Sequence, residues 1–97
     1  MINLEQAERS ASEYLAGIES QLGMPLQVLR RLDVSFGWVF FYNTEAYVRS
    51  GAIGSMLAGN APFVIDAEDG SLHVLGTAHP VERYLQEYER TRSKPAR

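Results

Sequence analysis

The side chains able to do chemistry are few, and most fall in one short stretch. Asp66, Asp69, Ser71 and His73 lie close together, and His79 follows soon after. A carboxylate, a hydroxyl and an imidazole are the parts of a nucleophilic triad, and carboxylates with two imidazoles are the parts of a metal site. The spacing argues against both. Ser71, His73 and Asp66 sit on one hairpin, which supplies neither the sharp turn that exposes a nucleophile nor an oxyanion hole. The two histidines with Asp66 or Asp69 match no closed or catalytic zinc set. The chain has no cysteine, so thiolate ligands and disulfides are absent. His73 alternates with Leu72 and Val74 and so shares a strand face with Ser71 and Leu75, while His79 precedes Pro80 where it can cap a helix. No catalytic residue, metal ligand or cofactor is expected.

A second candidate is the Gly59-Asn60-Ala61-Pro62 segment. Phosphate-binding loops follow a strand and open into a helix whose N–H groups face the anion. Here the segment opens into the apolar run Phe63–Asp66, and no lysine follows. Gly59 and Asn60 tolerate positive φ, Pro62 drives Ala61 to an extended conformation, and a proline can begin a strand. The segment reads as a turn that aims Phe63 and Ile65 into the core. The single tryptophan, Trp38, opens an apolar strand; core packing is its default role, with an interface anchor as the alternative. Glu45, Glu68 and Asp69 read as solvated loop carboxylates.

The elements around these residues follow from periodicity. Leu4, Ala7, Ala11, Tyr14, Leu15, Ile18 and Leu22 recur at steps of three and four, giving a helix with one apolar stripe. Asn3 with Gln6 forms a capping-box pattern, and Gly23 and Pro25 end the helix. Gly17 inside it suggests close approach to a sheet. Leu26, Val28, Leu32 and Val34 alternate with polar residues as one strand with one wet face, and Leu29 and Arg30 break the alternation, which implies either a bulge or partial exposure there. After the Ser35-Phe36-Gly37 turn, Trp38, Phe40 and Tyr42 share one strand face and Val39 and Phe41 the other, which implies a central strand covered on both sides. Residues 44–61 are irregular, with a short helical turn expected near Ser55–Ala58. Phe63–Asp66 and Ser71–Leu75 form a hairpin. Pro80 suits a first helical position, and Val81, Tyr84, Leu85 and Tyr88 make the stripe of a last helix. The order α-β-β-(loop)-β-β-α predicts an α+β domain with a four-stranded antiparallel sheet.

Ninety-seven residues with 45% apolar content fit one ordered domain, here placed at residues 1–90. The net charge of −3 conceals an asymmetry, since Arg90, Arg92, Lys94 and Arg97 crowd the end of the chain. The rest is acidic and repels phosphate backbones, so nucleic acid is not an expected partner. Residues 91–97 read as a basic, disordered tail. No stretch approaches the roughly 20 apolar residues of a membrane span, and the N-terminus lacks a signal-peptide core. A cytoplasmic protein is expected, and with open sheet edges both monomer and homodimer remain possible.

The stretch from Trp38 to Glu89 resembles the YrhB-like, or immunity protein 35, family. Trp38 after the first hairpin turn, Gly59-Asn60-Ala61-Pro62, Leu75-Gly76-Thr77, Pro80 and Tyr84-Leu85 carry the resemblance. It implies a binding function: such proteins are encoded beside polymorphic bacterial toxins and are expected to neutralise them, while some relatives are described as chaperone-like. On that reading Trp38, Gly59, Asn60 and Pro62 hold the scaffold. Loop residues Tyr47, Arg49, Ser50, Glu68 and Asp69 are the candidates to face the toxin, and a holdase acting on unfolded clients is the alternative.

Overall fold

A computed structural model describes residues 1–92. Helix α1 (Leu4–Leu22) leads into strands β1 (Leu26–Val34) and β2 (Gly37–Thr44). Helix α2 (Glu45–Ser50) and a 3-10 turn (Ile53–Ser55) precede strands β3 (Phe63–Asp66) and β4 (Leu72–Val74), and helix α3 (Val81–Arg92) closes the order. The strands form one antiparallel meander, β1-β2-β3-β4. This is the α+β architecture predicted by the sequence pattern.

The helices cover opposite faces of the sheet. Ala7, Ala11 and Leu15 of α1 pack on Phe40, Tyr42, Phe63 and Ile65. Leu85 of α3, with Val81, Tyr84 and Tyr88, packs with Phe36, Val39, Val64 and Leu75. The alternation of β2 thus feeds two cores. Small residues on α1 let its backbone approach the large rings beneath, where Tyr14 meets Phe63 edge-on at 4.7 Å.

α1 begins with the reciprocal bonds of a capping box: the Asn3 side chain accepts from Gln6 N–H at 2.9 Å, and the Gln6 side chain accepts from Asn3 N–H at 2.9 Å. It ends on Gly23 at φ 74°, a conformation glycine adopts without steric penalty. Gly17 lies away from the sheet, with open space where a Cβ would stand; its role in close packing is not seen. Leu22, at the end of the stripe, is exposed.

The bulge between Val28 and Arg30 is present, and it changes what β1 does. One extra residue reverses which face each later side chain meets. Leu26 and Val28 therefore join the α1 core, while Leu32 and Val34 join the α3 core. β1 is not a strand with one wet face; its apolar side chains are divided between two layers. The helical residues of the irregular segment also differ from expectation, lying at 45–50 and 53–55 in place of 55–58. Thr44 is the reason: its Oγ1 accepts from Tyr47 N–H at 3.0 Å and caps α2, which Gly51 terminates at φ 72°. α3 starts at Val81, with Pro80 just outside it, accepting from Arg83 N–H at 3.0 Å. It runs on through Thr91 and Arg92, past the boundary placed at residue 90. The remainder of the expected tail, 93–97, lies outside the described residues. No helix among the described residues is long and apolar enough to cross a membrane.

Candidate functional site

Two regions at opposite ends of the sheet hold the residues singled out from sequence. Because Gly37 pairs with Asp66 in the antiparallel β2–β3 register, the β3–β4 turn lies at the Gly37 end of β2 and α2 at its Thr44 end. Tyr47, Arg49 and Ser50 are therefore grouped on α2, and Glu68 and Asp69 lie a sheet length away. The five do not form one surface.

The α2 end is built by side chains that replace a missing strand. Past Phe40, β2 has no β3 partner, and residues 55–60 run beside it instead. Asn43 Oδ1 accepts from Leu57 N–H at 2.8 Å, and its Nδ2 donates to the Leu57 carbonyl at 3.2 Å, reproducing with one amide the double bond of a ladder pair. The same oxygen accepts from Thr44 N–H at 2.8 Å. Thr44 Oγ1 donates to the Ser55 carbonyl at 2.6 Å, and the Asn60 amide donates to the Tyr42 carbonyl. Gly59 takes φ 77°, and the Pro62 carbonyl accepts from Leu75 N–H at 2.8 Å as the chain enters β3. Trp38, half-buried, packs against the α1 core.

On this frame α2 presents Arg49, paired with Glu45 at 2.6 Å one turn away, and Ser50, whose hydroxyl accepts from Ala52 N–H at 3.1 Å. Tyr47 is half-buried. Beside them Ile53 is 79% exposed, and Met56 is also exposed. Leu22 and Met24 come to the same end, because Glu45 N–H donates to the Pro25 carbonyl at 3.0 Å. Leu22, Met24, Ile53 and Met56 are thus exposed at the end that carries α2.

The opposite end is a polar clamp. Asp66, 3% exposed, accepts from Arg92 Nε at 2.6 Å and Nη2 at 3.0 Å, from Tyr88 Oη at 2.6 Å, and from Glu68 N–H at 2.9 Å. The Arg92 guanidinium, aided by the Tyr88 hydroxyl and the Glu68 amide, holds the carboxyl down at about 2 against the resistance of burial. Burial and the carboxylate together push the Tyr88 hydroxyl up to about 12. Arg92 also reaches Glu68 at 3.2 Å. Sequence reasoning missed this cluster by assigning Arg92 to a tail; the signal was an acid ending a buried strand, which must find a cation or donors.

The triad residues are arranged differently from a hydrolase. Asp69 Oδ1 accepts from the Ser71 hydroxyl at 2.7 Å and its N–H at 2.9 Å, which depresses the Asp69 carboxyl. Ser71 Oγ lies 2.8 Å from His73 Nε2, and the His73 ring stands 4.8 Å from that of Tyr88. The carboxylate orients the serine and not the imidazole, and Asp66 turns away to Arg92. His79 is not placed by its side chain as a cap: its N–H donates to Tyr84 Oη at 3.1 Å and its ring lies beside that tyrosine. Among the described residues no three His, Cys, Asp or Glu side chains gather as metal ligands.

The sheet is thus covered by α1 on one face and α3 on the other, and its buried polar residues Asn43, Thr44 and Asp66 all have hydrogen-bond partners. The chain belongs to the immunity protein 35 family, whose family model matches residues 5–90. It is also 38% identical over 89 residues to the uncharacterised protein YrhB of Escherichia coli (strain K12), covering 92% of this chain and 90% of that one. No solved structure matches it significantly.

Proposed function

We propose that this protein binds one cognate bacterial toxin domain in the cytoplasm and neutralises it by occupying its surface, without catalysis of its own. The observation that carries this reading is membership of the immunity protein 35 family, whose model matches residues 5–90. The geometry favours the α2 end as the contact face. Tyr47, Arg49 and Ser50 are there beside exposed Ile53 and Met56, whereas Glu68 and Asp69 lie at the other end of the sheet. Specific interfaces bury apolar side chains together with polar ones, on the order of 1,600 Å² in all. The acidic body steers a basic toxin surface and speeds encounter.

The test is co-expression with the product of the adjacent gene. The toxin should arrest growth alone, be tolerated with this protein, and co-purify with it. A neighbour that is neither harmful nor retained removes the proposal. Exposed Leu22, Met24, Ile53 and Met56 at one end also favour a second reading, a holdase for unfolded clients. Light scattering of a heated, unrelated client separates the two: a holdase suppresses aggregation at equimolar dose, and an immunity protein does not.

A further inference from the structure

We infer that the protein forms a two-fold homodimer in which β1 of one copy pairs antiparallel with β1 of the other, joining the two sheets across Leu32. β1 is an edge strand of nine residues, against three for the other edge, β4. Its bulge ends the regular edge on one side and the hairpin turn ends it on the other, leaving residues 30–34 as the template.

The direction of the edge amides follows from β2. The carbonyls of Phe36 and Tyr42 point to the β3 side, where they accept from Ala67 N–H at 2.8 Å and from the Asn60 side chain. Amides alternate along a strand, so the odd-numbered residues of β2 bond β1. Their partners Leu32 and Val34 turn their amides inward, and Arg31 and Asp33 present theirs to the open edge.

Charge then selects the register. A two-fold that keeps both copies of α1 on one side must pass through a residue position. Centred on Arg30, Arg31 or Asp33, it sets a like charge opposite itself, which is destabilising. Centred on Val34, it runs into the turn. Centred on Leu32, it sets Arg31 opposite Asp33 of the second copy, and the residues with outward amides become the hydrogen-bonded pairs. Arg31 and Asp33 already attract within one chain, at 2.7 Å. Leu32 meets its own copy in a close, non-hydrogen-bonded pair.

A further complementarity appears on the α3 face. Arg30 lies over the Phe41 ring at 4.3 Å and has no carboxylate partner among the described residues. In this register it stands opposite Val34 of the second copy. Val34 lines a groove with Leu32, Phe36 and Leu85 whose rim carries Glu82 and Glu89, both without a cation among the described residues. Arg30 enters that acidic rim. The short β4 leaves no second long edge, so the assembly closes at two copies.

Sedimentation equilibrium of the full chain tests this. The wild type should show twice the chain mass, and Arg31→Asp or Asp33→Arg alone should raise the dimer Kd about tenfold or more. The swap R31D/D33R should restore it, because the opposite charges still meet. Asp33→Pro removes an outward N–H together with the carboxylate that pairs with Arg31, and should give a folded monomer by circular dichroism. A wild type that stays monomeric up to about 1 mM overturns the inference. So does a dimer that the single charge changes and the proline leave intact, or one that the swap fails to restore while each variant is folded.

Discussion

Replacing Arg92 by glutamine should cost about 2 kcal/mol of stability at neutral pH, and that cost should vanish in acid. The Arg92 guanidinium is the largest influence holding Asp66 at about 2, down from 3.8. Each pKa unit corresponds to about 1.4 kcal/mol, so the depression of Asp66 amounts to about 2 kcal/mol. The sign follows from linkage. The folded carboxyl is the more acidic, so the unfolded chain takes up the proton first as pH falls. The stabilisation is present in full above about pH 5, and drains away between the unfolded value near 4 and the folded value near 2. In R92Q the carboxylate keeps the Tyr88 hydroxyl and the Glu68 amide, but burial is no longer offset by the cation, and its pKa returns toward the ordinary range. Urea denaturation followed by circular dichroism should therefore place R92Q about 2 kcal/mol below wild type at pH 7, a fall of roughly 10 °C in Tm for a domain of this size. The two curves should converge as pH approaches 2. Taking the difference removes the titration of the other acids, which both proteins share. A carbon-detected NMR titration of Asp66 reads the same shift directly. Equal stability at pH 7, or a gap that persists undiminished at low pH, would refute the reasoning.

Asn43→Ala should leave the Leu57 N–H and carbonyl without their side-chain partner and cost about 1–3 kcal/mol. Hydrogen exchange across residues 52–62 should accelerate while α1 stays protected, and unchanged exchange there would count against side-chain stitching of the segment. Gly37→Ala should prevent stable folding, because its Cβ would stand 2.1 Å from the Ile65 carbonyl oxygen; a variant with wild-type Tm contradicts the close β2–β3 approach. Tyr84→Phe should cost about 1 kcal/mol by removing the hydroxyl that accepts from Ala78 and His79 N–H at 3.0 and 3.1 Å. Thermal melts would show the loss, and none is expected for the exposed change Glu13→Gln.

Local chemistry in this chain was legible in the sequence, and pairings between distant segments were not. The capping box of α1, its Gly23 stop and the two-faced pattern of β2 each involve residues within a few positions, where periodicity and capping rules apply. The bulge could be read as a broken alternation, but its consequence could not. That Leu32 serves the layer opposite to Val28 depends on the register with β2 and on a helix fifty residues away. α2 does carry a local signal, since Thr44 followed by Glu45 and then Gly51 is a start and a stop, but its 6 residues ahead of a glycine-rich segment are too short a run for periodicity to show. Arg92 had no local signal at all, because its partner lies 26 positions upstream. The same asymmetry governs the candidate site. A scaffold residue must satisfy a neighbour of known geometry, so its type is constrained even where the reason differs from the one expected: Asn60, expected for its tolerance of positive φ, does not adopt it, and its amide instead donates to the Tyr42 carbonyl. A residue that meets a partner satisfies a surface outside the chain, so nothing in the chain's own pattern selects it. Tyr47 and Glu68 looked equivalent as loop residues, and only the antiparallel β2–β3 register sends them to opposite ends. The frame is therefore the part that the sequence discloses, while exposed apolar side chains such as Ile53, Met56, Leu29 and Val74 satisfy no requirement inside the chain and are marked by no pattern within it.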